Sequence, residues 1–237
     1  MDLVERYASP DTIVQGYIAA ARLAAIQGQR GRCQDLLEAL FALGEERDMP
    51  RLCMASLAEQ IRLHAFQGRN DTCKALWRRL EAVTPLCARE QSGLLGPELA
   101  LIAGVAEAYV LLLGRDWPAM LAVLERSAVI AQQLRRGRDL VQIKLLTALA
   151  LRAGAEDGEA CLLEAVSLAQ EHGMQRIVQD THPELPKWLH SLQREAQEIE
   201  PLAPGPAAVS RVEPSASSVS PSRLLTPKER DAFPFLA

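Results

Sequence analysis

Residue types that carry out chemistry in proteins occur in this chain, but their spacing forms no recognised catalytic pattern. The four histidines have no cysteine or carboxylate at a metal-binding spacing such as His-Glu-x-x-His. The chain also lacks the G-x-x-x-x-G-K-[ST] loop of nucleotide-binding proteins and the G-x-S-x-G turn of serine hydrolases. We therefore predict a protein that is not an enzyme and that holds neither a metal nor a cofactor. The histidines are His64, His172, His182 and His190.

The five cysteines are an odd number and include no C-x-x-C pair. This pattern is typical of free thiols in a reducing cytosol, rather than of disulfides or a zinc site. Cys33 and Cys73 each lie five residues after a glycine, and we interpret both as small buried residues that let helices approach. A redox-sensing role is the alternative, and it requires an exposed thiol of low pKa. The full set is Cys33, Cys53, Cys73, Cys87 and Cys161.

Basic residues are densest over residues 135–138, which read Arg-Arg-Gly-Arg. We place this basic cluster at the C-terminus of a helix, where the macrodipole favours cations, with contact to an anion or nucleic acid as the alternative. Two pairs recur forty positions apart, Arg22 with Arg62 and Gln27 with Gln67. Such repeated side chains either line one face of a repeat array or form hydrogen bonds between repeats, and we favour the hydrogen bonds.

The segments 22–33 and 62–73 resemble each other along their whole length. Each has the pattern of a helix end, a tight glycine turn and a new helix start. A fixed period of this size is typical of stacked helical repeats. We therefore predict an all-α, right-handed superhelical solenoid of TPR-like helical hairpins, with turns at Gly28, Gly68, Gly114 and Gly154. The predicted helices span 11–27, 32–47, 51–67, 72–89, 97–113, 117–136, 139–152 and 159–171, followed by a capping helix over 181–197.

The composition favours a helical protein with an aliphatic core. The chain is 49% hydrophobic but only 4% aromatic, so leucine, alanine, valine and isoleucine must build that core. A formal net charge of −4 gives no general attraction to nucleic acid or to an anionic membrane. The N-terminus lacks a signal-peptide pattern, and the longest apolar stretch, 99–113, contains Glu107 and is too short to span a bilayer. We therefore expect a cytoplasmic protein without membrane contact.

Changes in composition divide the chain into four segments. Residues 1–10 are a lead-in and residues 11–197 form the repeat region. Residues 198–223 are rich in Pro, Ser and Ala, which predicts a disordered linker. A new helix begins within 224–237, because Thr226 and the glutamate three residues later have capping-box spacing and a proline occupies the first helical position.

Together these features resemble the C-terminal part of LuxR-type, or MalT-like, bacterial transcription regulators. The hairpins resemble that family's TPR-like sensor region over roughly residues 11–197. The stretch 173–189 has the residues that close this region in the family, and the L-T-P-K-E-R motif is similar to the start of the family's helix-turn-helix domain. The matching residues are Gly173, Arg176, Asp180, Pro183, Trp188 and Leu189, then Leu225, Thr226, Pro227, Lys228, Glu229 and Arg230.

The resemblance implies a region that senses a signal and interacts with proteins. In the family, a small-molecule inducer or a protein partner binds in the solenoid groove, and the signal passes to the DNA-binding domain. Here the helix-turn-helix is truncated after its first residues, and Pro234 interrupts its first helix. We therefore expect a fragment of a larger regulator that binds no specific DNA by itself. A free-standing TPR-like adaptor that binds a peptide or protein partner is the alternative.

Overall fold

The structure, a computed structural model, describes residues 9–84, 95–174 and 176–199, with the side chains of 196–199 excepted. All regular secondary structure in these residues is α-helical, which confirms the all-α part of the predicted fold. The described helices are α1 (Pro10–Ile26), α2 (Arg30–Glu46), α3 (Pro50–Phe66), α4 (Asn70–Val83), α5 (Leu95–Gly114), α6 (Trp117–Gln133), α7 (Gly137–Ala153), α8 (Glu159–Glu171), α9 (Ile177–Thr181) and α10 (Glu184–Ile199).

Capping residues and prolines set where the helices begin. The Ser9 hydroxyl accepts a hydrogen bond from the Thr12 N–H at 3.4 Å, and Pro10 is the first residue of α1. Asp116 caps α6 through the Ala119 N–H at 3.2 Å. The predicted bounds agree with the structure to within two residues, except at the ends of α4 and α6 and in the C-terminal cap.

Left-handed residues end the helices at regular positions. Gly28 and Gly68 follow α1 and α3 with φ of 74° and 67°, a conformation that glycine adopts without a Cβ clash. After α5 and α7 the left-handed residues are instead Arg115 and Ala155, with φ of 57° and 63°. The turns predicted at positions 114 and 154 therefore lie one residue later, since those glycines are the last residue of α5 and the C-cap of α7.

Two helices end earlier than predicted. Helix α4 ends at Val83, two residues before Pro85, instead of at residue 89. Proline is the expected stop signal, because it has no N–H and clashes with the preceding turn. Helix α6 ends at Gln133, and Arg135 follows in the left-handed region with φ of 53°. Gly137, which directly follows the predicted span 117–136, is the first residue of α7.

The capping helix predicted over 181–197 begins only at Glu184, as α10, and the short helix α9 precedes it over Ile177–Thr181. His182 lies between them in extended conformation, with φ −162° and ψ 140°. The residue that follows is Pro183, whose ring disfavours helical backbone in the residue before it. The break therefore has a local cause, and it lets α9 pack independently of α10.

Each helix from α1 to α7 packs against the next one along the chain. Further contacts join α1 to α3, α3 to α5, and α5 to α7, so the odd-numbered helices adjoin one another in order. A continuous apolar core extends from α3 to α10. Two smaller apolar clusters join α1 and α2 to α3.

The chain divides into two compact units, Met1–Arg194 and Glu195–Ala237. The predicted linker (198–223) and the predicted start of a helix-turn-helix domain, with Thr226 to Arg230, lie outside the described residues. The first eight residues of the predicted lead-in lie outside them as well. The cavity and contacts described below all belong to the first unit.

Among the described helices, α5 is long and apolar enough to cross a membrane by length and composition. It has 20 residues, so the apolar stretch 99–113 identified in the sequence is shorter than the helix that contains it. The core helix of a protein passes the same test. Helix α5 packs against α3, α4, α6 and α7, and 28% of its apolar window is buried.

Candidate ligand-binding site

A cavity of about 400 Å³ lies among α1, α3, α5 and the start of α7. Pockets of this volume hold small ligands in other proteins. Along α1, α3 and α5 the lining changes from charged residues to apolar ones and back to polar ones. The apolar middle of the cavity includes Val14, Ile18, Ala55, Leu101, Ile102 and Val105.

Ion pairs join four helices at one end of the cavity. Arg51 of α3 pairs with Asp11 of α1 and, at 2.9 Å, with Glu98 of α5. Arg136, the N-cap residue of α7, pairs with Glu98 and lies 3.3 Å from Asp139. The side chains of Arg51 and Glu98 are only 13% and 14% exposed, so solvent ions screen their attraction weakly. This network therefore holds the N-terminal ends of α1, α3, α5 and α7 together.

A buried carboxylate, Glu59, lies near the opposite end of the cavity. Arg22 of α1 donates two hydrogen bonds to it, at 2.9 and 2.8 Å. Arg62, one turn further along α3, also donates two, one of them at 3.0 Å. Burial alone would raise the pKa of the Glu59 carboxyl, but the two guanidinium groups outweigh it and hold that pKa well below its usual range. Glu59 is therefore a permanent anion that bridges α1 and α3.

The same wall of the cavity holds α9 through its C-terminal carbonyl groups. Arg62 donates to the carbonyl oxygen of Asp180, and the Tyr109 hydroxyl donates to that of Thr181 at 2.8 Å. Gln142 of α7 in turn donates to the Tyr109 oxygen at 3.1 Å. The last carbonyls of a helix have no partner within it, so these two donors satisfy groups that α9 leaves open. Burial raises the pKa of Tyr109 to about 12, so its hydroxyl stays a donor at neutral pH.

The structure brings together some of the residues singled out from the sequence. Arg22 and Arg62 both bind Glu59, Arg62 from within α3 and Arg22 from α1, so the Arg22 hydrogen bonds join two helices. Both arginines also line the cavity. Gln27 and Gln67 instead occupy the C-cap positions of α1 and α3.

The predicted position of the basic cluster 135–138 is wrong in part. Arg135 follows the C-terminus of α6, as expected. Arg136 is the N-cap residue of α7, and Arg138 lies in the first turn of that helix. A cation there faces the positive end of the helix macrodipole, so the macrodipole does not explain Arg138.

The cysteines lie in packed positions. Cys33, Cys53 and Cys73 are buried and Cys161 is half-buried. Burial raises the pKa of Cys33, and it raises that of Cys73 to about 11. Such thiols carry little thiolate at neutral pH, which supports the packing interpretation over a redox sensor. Cys87 lies outside the described residues.

The four histidines are separated in space or exposed. His64 lines a second cavity, of about 270 Å³, that also contains Cys33. His182 packs edge-on against Phe66, with 5.8 Å between the ring centroids. His172 and His190 are exposed. In the part of the chain that the structure describes, no three His, Cys, Asp or Glu side chains lie close enough to hold a metal ion.

Sequence reasoning missed Glu59 and Tyr109, the two residues that connect the cavity to neighbouring helices. Acidic side chains usually lie in solvent, whereas Glu59 is only 4% exposed. A signal existed, because Glu59 lies one turn before Arg62 and one turn after Ala55, on the apolar side of α3. Tyr109 carried no comparable signal, since its partner Thr181 is 72 residues away.

Comparison with protein-family models, curated proteins and solved structures finds no match for this chain. Function therefore has to be inferred from the cavity, its contacts and the motifs of the sequence.

Proposed function

We propose that this chain is the signal-sensing and protein-interaction region of a LuxR-type, MalT-like transcription regulator. In this proposal the hairpins stack as a right-handed superhelical solenoid of TPR-like units, and the inducer binds on the side formed by the odd-numbered helices. The region acts in the cytoplasm, and it reaches DNA only through a complete helix-turn-helix domain.

One observation carries the proposal: the wall of the cavity also holds α9. Arg62 and Tyr109 line the cavity, and both donate hydrogen bonds to carbonyl groups of α9. A helix of five residues is too short to be stable alone, so its position depends on such contacts. A ligand that binds Arg62 or Tyr109 therefore changes the free energy with which α9 docks.

Because α9 directly precedes α10 in the chain, this coupling can act on the C-terminal segments. Helix α9 leads through the extended His182 into α10, which begins at Glu184. A change in the docking of α9 is thus passed towards the C-terminal segments, where the sequence resembles a linker and the start of a DNA-binding domain. Glu59 and Arg62 of α3 form part of the cavity wall. Glu59 links this wall to α1 through Arg22, and Arg62 links it to α9.

The proposal is tested by filling the cavity. Ala58 lines it on α3, and an Ala58→Trp substitution should occupy it without removing any of the polar contacts. Ala122→Trp, on an exposed position of α6, is the matched control. Native mass spectrometry of the chain, mixed with the low-molecular-mass fraction of a bacterial extract, should show a bound compound in the wild type and the control but not in Ala58→Trp.

The compound so identified is used to test the coupling between the cavity and α9, called the relay below. Its binding should change the hydrogen-exchange protection of α9 and the start of α10, because the cavity wall holds α9. A compound that binds equally well to Ala58→Trp would contradict the assignment of the cavity as its site. If only proteins or peptides bind, and binding is unaffected by Ala58→Trp, the adaptor alternative is supported instead.

A further inference from the structure

The cavity is lined by more cations than anions. Four carboxylates line it, those of Asp11, Glu59, Glu98 and Asp139. Six arginines line it, namely Arg22, Arg51, Arg62, Arg135, Arg136 and Arg138. The lining thus has an excess of positive charge, although the chain as a whole has a formal net charge of −4.

Two of the six arginines account for this excess. Arg22, Arg51, Arg62 and Arg136 each form ion pairs with the lining carboxylates. Arg135 and Arg138 form no ion pair among the residues that the structure describes. Both are exposed, so a ligand that enters the cavity can reach them.

Arg138 is held where its charge is unfavourable. It lies in the first turn of α7, where the helix macrodipole opposes a cation. Its neighbour Arg22 already pairs with Glu59. Partial burial lowers the pKa of Arg138 and the repulsion from Arg22 lowers it further, whereas Asp180, Asp139 and Glu59 act in the opposite direction. An anionic ligand would relieve this repulsion.

The apolar lining residues and the nearby Asp180 determine the other properties of the ligand. Apolar side chains of α1, α3 and α5 form the middle of the cavity, between its two charged ends. Asp180 acts electrostatically on both Arg22 and Arg138, and its carboxylate reduces the local excess of charge. Asp180 also pairs with Arg176 at 3.7 Å, so it offsets only part of the excess. One negative charge on the ligand is enough to pair with Arg138.

We propose that the cavity binds a small aliphatic monoanion, whose carboxylate pairs with Arg138 beside Arg22 and whose alkyl part lies against Ile18, Ile102 and Val105. A carboxylate suits a guanidinium group, since two parallel N–H···O bonds form between them. The inference rests on the proposed function, because it assigns a chemical class to the inducer of that same site.

The test uses two probes of equal shape. Octanoate and octanamide differ in charge and have the same alkyl chain, and inorganic phosphate supplies negative charge without an alkyl part. Isothermal titration of the 237-residue chain at low salt should show octanoate binding about tenfold more tightly than octanamide, as expected for one bidentate charge-assisted pair. Phosphate should bind more weakly than octanoate, because it leaves the apolar wall uncovered.

The decisive variant is Arg138→Gln, with Arg78→Gln as the matched control on an exposed position of α4. Arg138→Gln should reduce octanoate affinity about tenfold and leave octanamide affinity unchanged. It should also melt at the same temperature as the wild type or above it without ligand, because an opposed charge has been removed. A purely structural role for Arg138 would instead lower the melting temperature and affect both probes alike.

Several results would overturn the inference. The first is equal affinity for octanoate and octanamide, and the second is phosphate binding as tight as octanoate binding. The third is a preference for octanoate over octanamide that is the same in Arg138→Gln as in the wild type. The fourth is that none of the probes binds. If a neutral compound binds in an Ala58-dependent way and octanoate does not, the proposed sensor function stands and the anion inference is wrong. If octanoate binds through Arg138 but leaves the exchange of α9 unchanged, the anion site stands and the proposed relay is wrong.

Discussion

At Glu59, a carboxylate that is 4% exposed accepts hydrogen bonds from two guanidinium groups, one on its own helix and one on α1. Taking a carboxylate out of water costs several kcal/mol, so Glu59 and its two arginines are stable only as a complete unit. The same holds on a smaller scale for His182, whose neutral ring lies against Phe66 and accepts a hydrogen bond from the Glu184 N–H through Nδ1. Single side chains thus depend on partners that lie on other helices.

Replacing Glu59 by glutamine should destabilise the protein strongly. Arg22 and Arg62 would keep their charges in a buried site without a counter-ion, which costs about 3 kcal/mol or more in comparable cases. Urea unfolding followed by circular dichroism would measure this loss. Glu125→Gln on the exposed face of α6 is the control and should change stability by less than about 0.5 kcal/mol. Similar unfolding midpoints for both variants would contradict the bridging role.

Acidification should destabilise the fold partly through His182. Burial lowers the pKa of His182, Glu184 opposes the shift and Lys187 adds to it, so the folded pKa lies below the unfolded value of 6.5. The stability due to the neutral ring is complete above pH 6.5 and is lost as pH falls through the folded pKa.

His182→Gln should therefore flatten the decline of unfolding free energy between about pH 7 and pH 5, by up to about 1.4 kcal/mol per pH unit. His190→Gln, at an exposed position, serves as control and should leave the decline as it is. An identical pH profile in wild type and His182→Gln would refute the assignment. His64, whose pKa burial and Arg69 lower, should account for part of the decline that persists.

At the scale of the helix, close approach of α2 to α3 depends on Gly44. A Cβ atom at this position would lie 2.6 Å from the Cys53 sulfur, 2.9 Å from the Cys53 nitrogen and 3.0 Å from the Leu52 Cβ. Because a backbone atom is among these neighbours, the two helices would have to move apart. Gly16, in α1, has no atom within 4 Å of the same ideal position.

These two glycines form a matched pair of mutations. Gly44→Ala should lower stability by about 1–3 kcal/mol through overpacking between α2 and α3. Gly16→Ala should raise stability by up to about 1 kcal/mol, because alanine favours the helix and meets no obstacle. Thermal unfolding of both variants checks the opposite signs. A stabilising Gly44→Ala would show that α2 and α3 do not approach as closely as described.

For the whole of the first unit, the apolar core is continuous only from α3 onwards. Helices α1 and α2 join it through two smaller clusters, through the Arg22–Glu59 pair and through the partly buried Phe41 of α2. In arrays of helices that contact mainly their neighbours, segments with fewer apolar contacts open at lower free energy. The described residues therefore divide into a stable body and a less stable N-terminal hairpin.

Hydrogen exchange followed by mass spectrometry should show this division. The amides of α1 and α2 should exchange before those of α3, α6 and α7, since fewer buried contacts must be broken to expose them. Glu59→Gln should accelerate α1 further, because it removes a link between α1 and α3. Uniform protection from α1 to α7, or earliest exchange in α7, would be inconsistent with the described core.

The positions of the helices were largely predictable, because their causes are local. Ser9 and Pro10 start α1, and glycines at 28 and 68 end helices, through interactions within a few residues. The break at His182 follows the same logic and was readable from Pro183, although the prediction placed one helix there. The turns after α5 and α7 were predicted less exactly. Their left-handed residues are Arg115 and Ala155, and not the glycines directly before them.

The sequence by itself determined that the chain is helical and where nearly every helix begins, because hydrophobic period, caps and breakers act over one or two turns. Only the tertiary structure decided which polar residues are buried together. Glu59 meets Arg22 across 37 positions, and Arg62 reaches the carbonyl of Asp180 across 118. Such pairs depend on how far each helix rotates and slides against its neighbours, and many rotations bury similar apolar area. The composition of the cavity wall follows from that packing, and no local pattern in the chain specifies it.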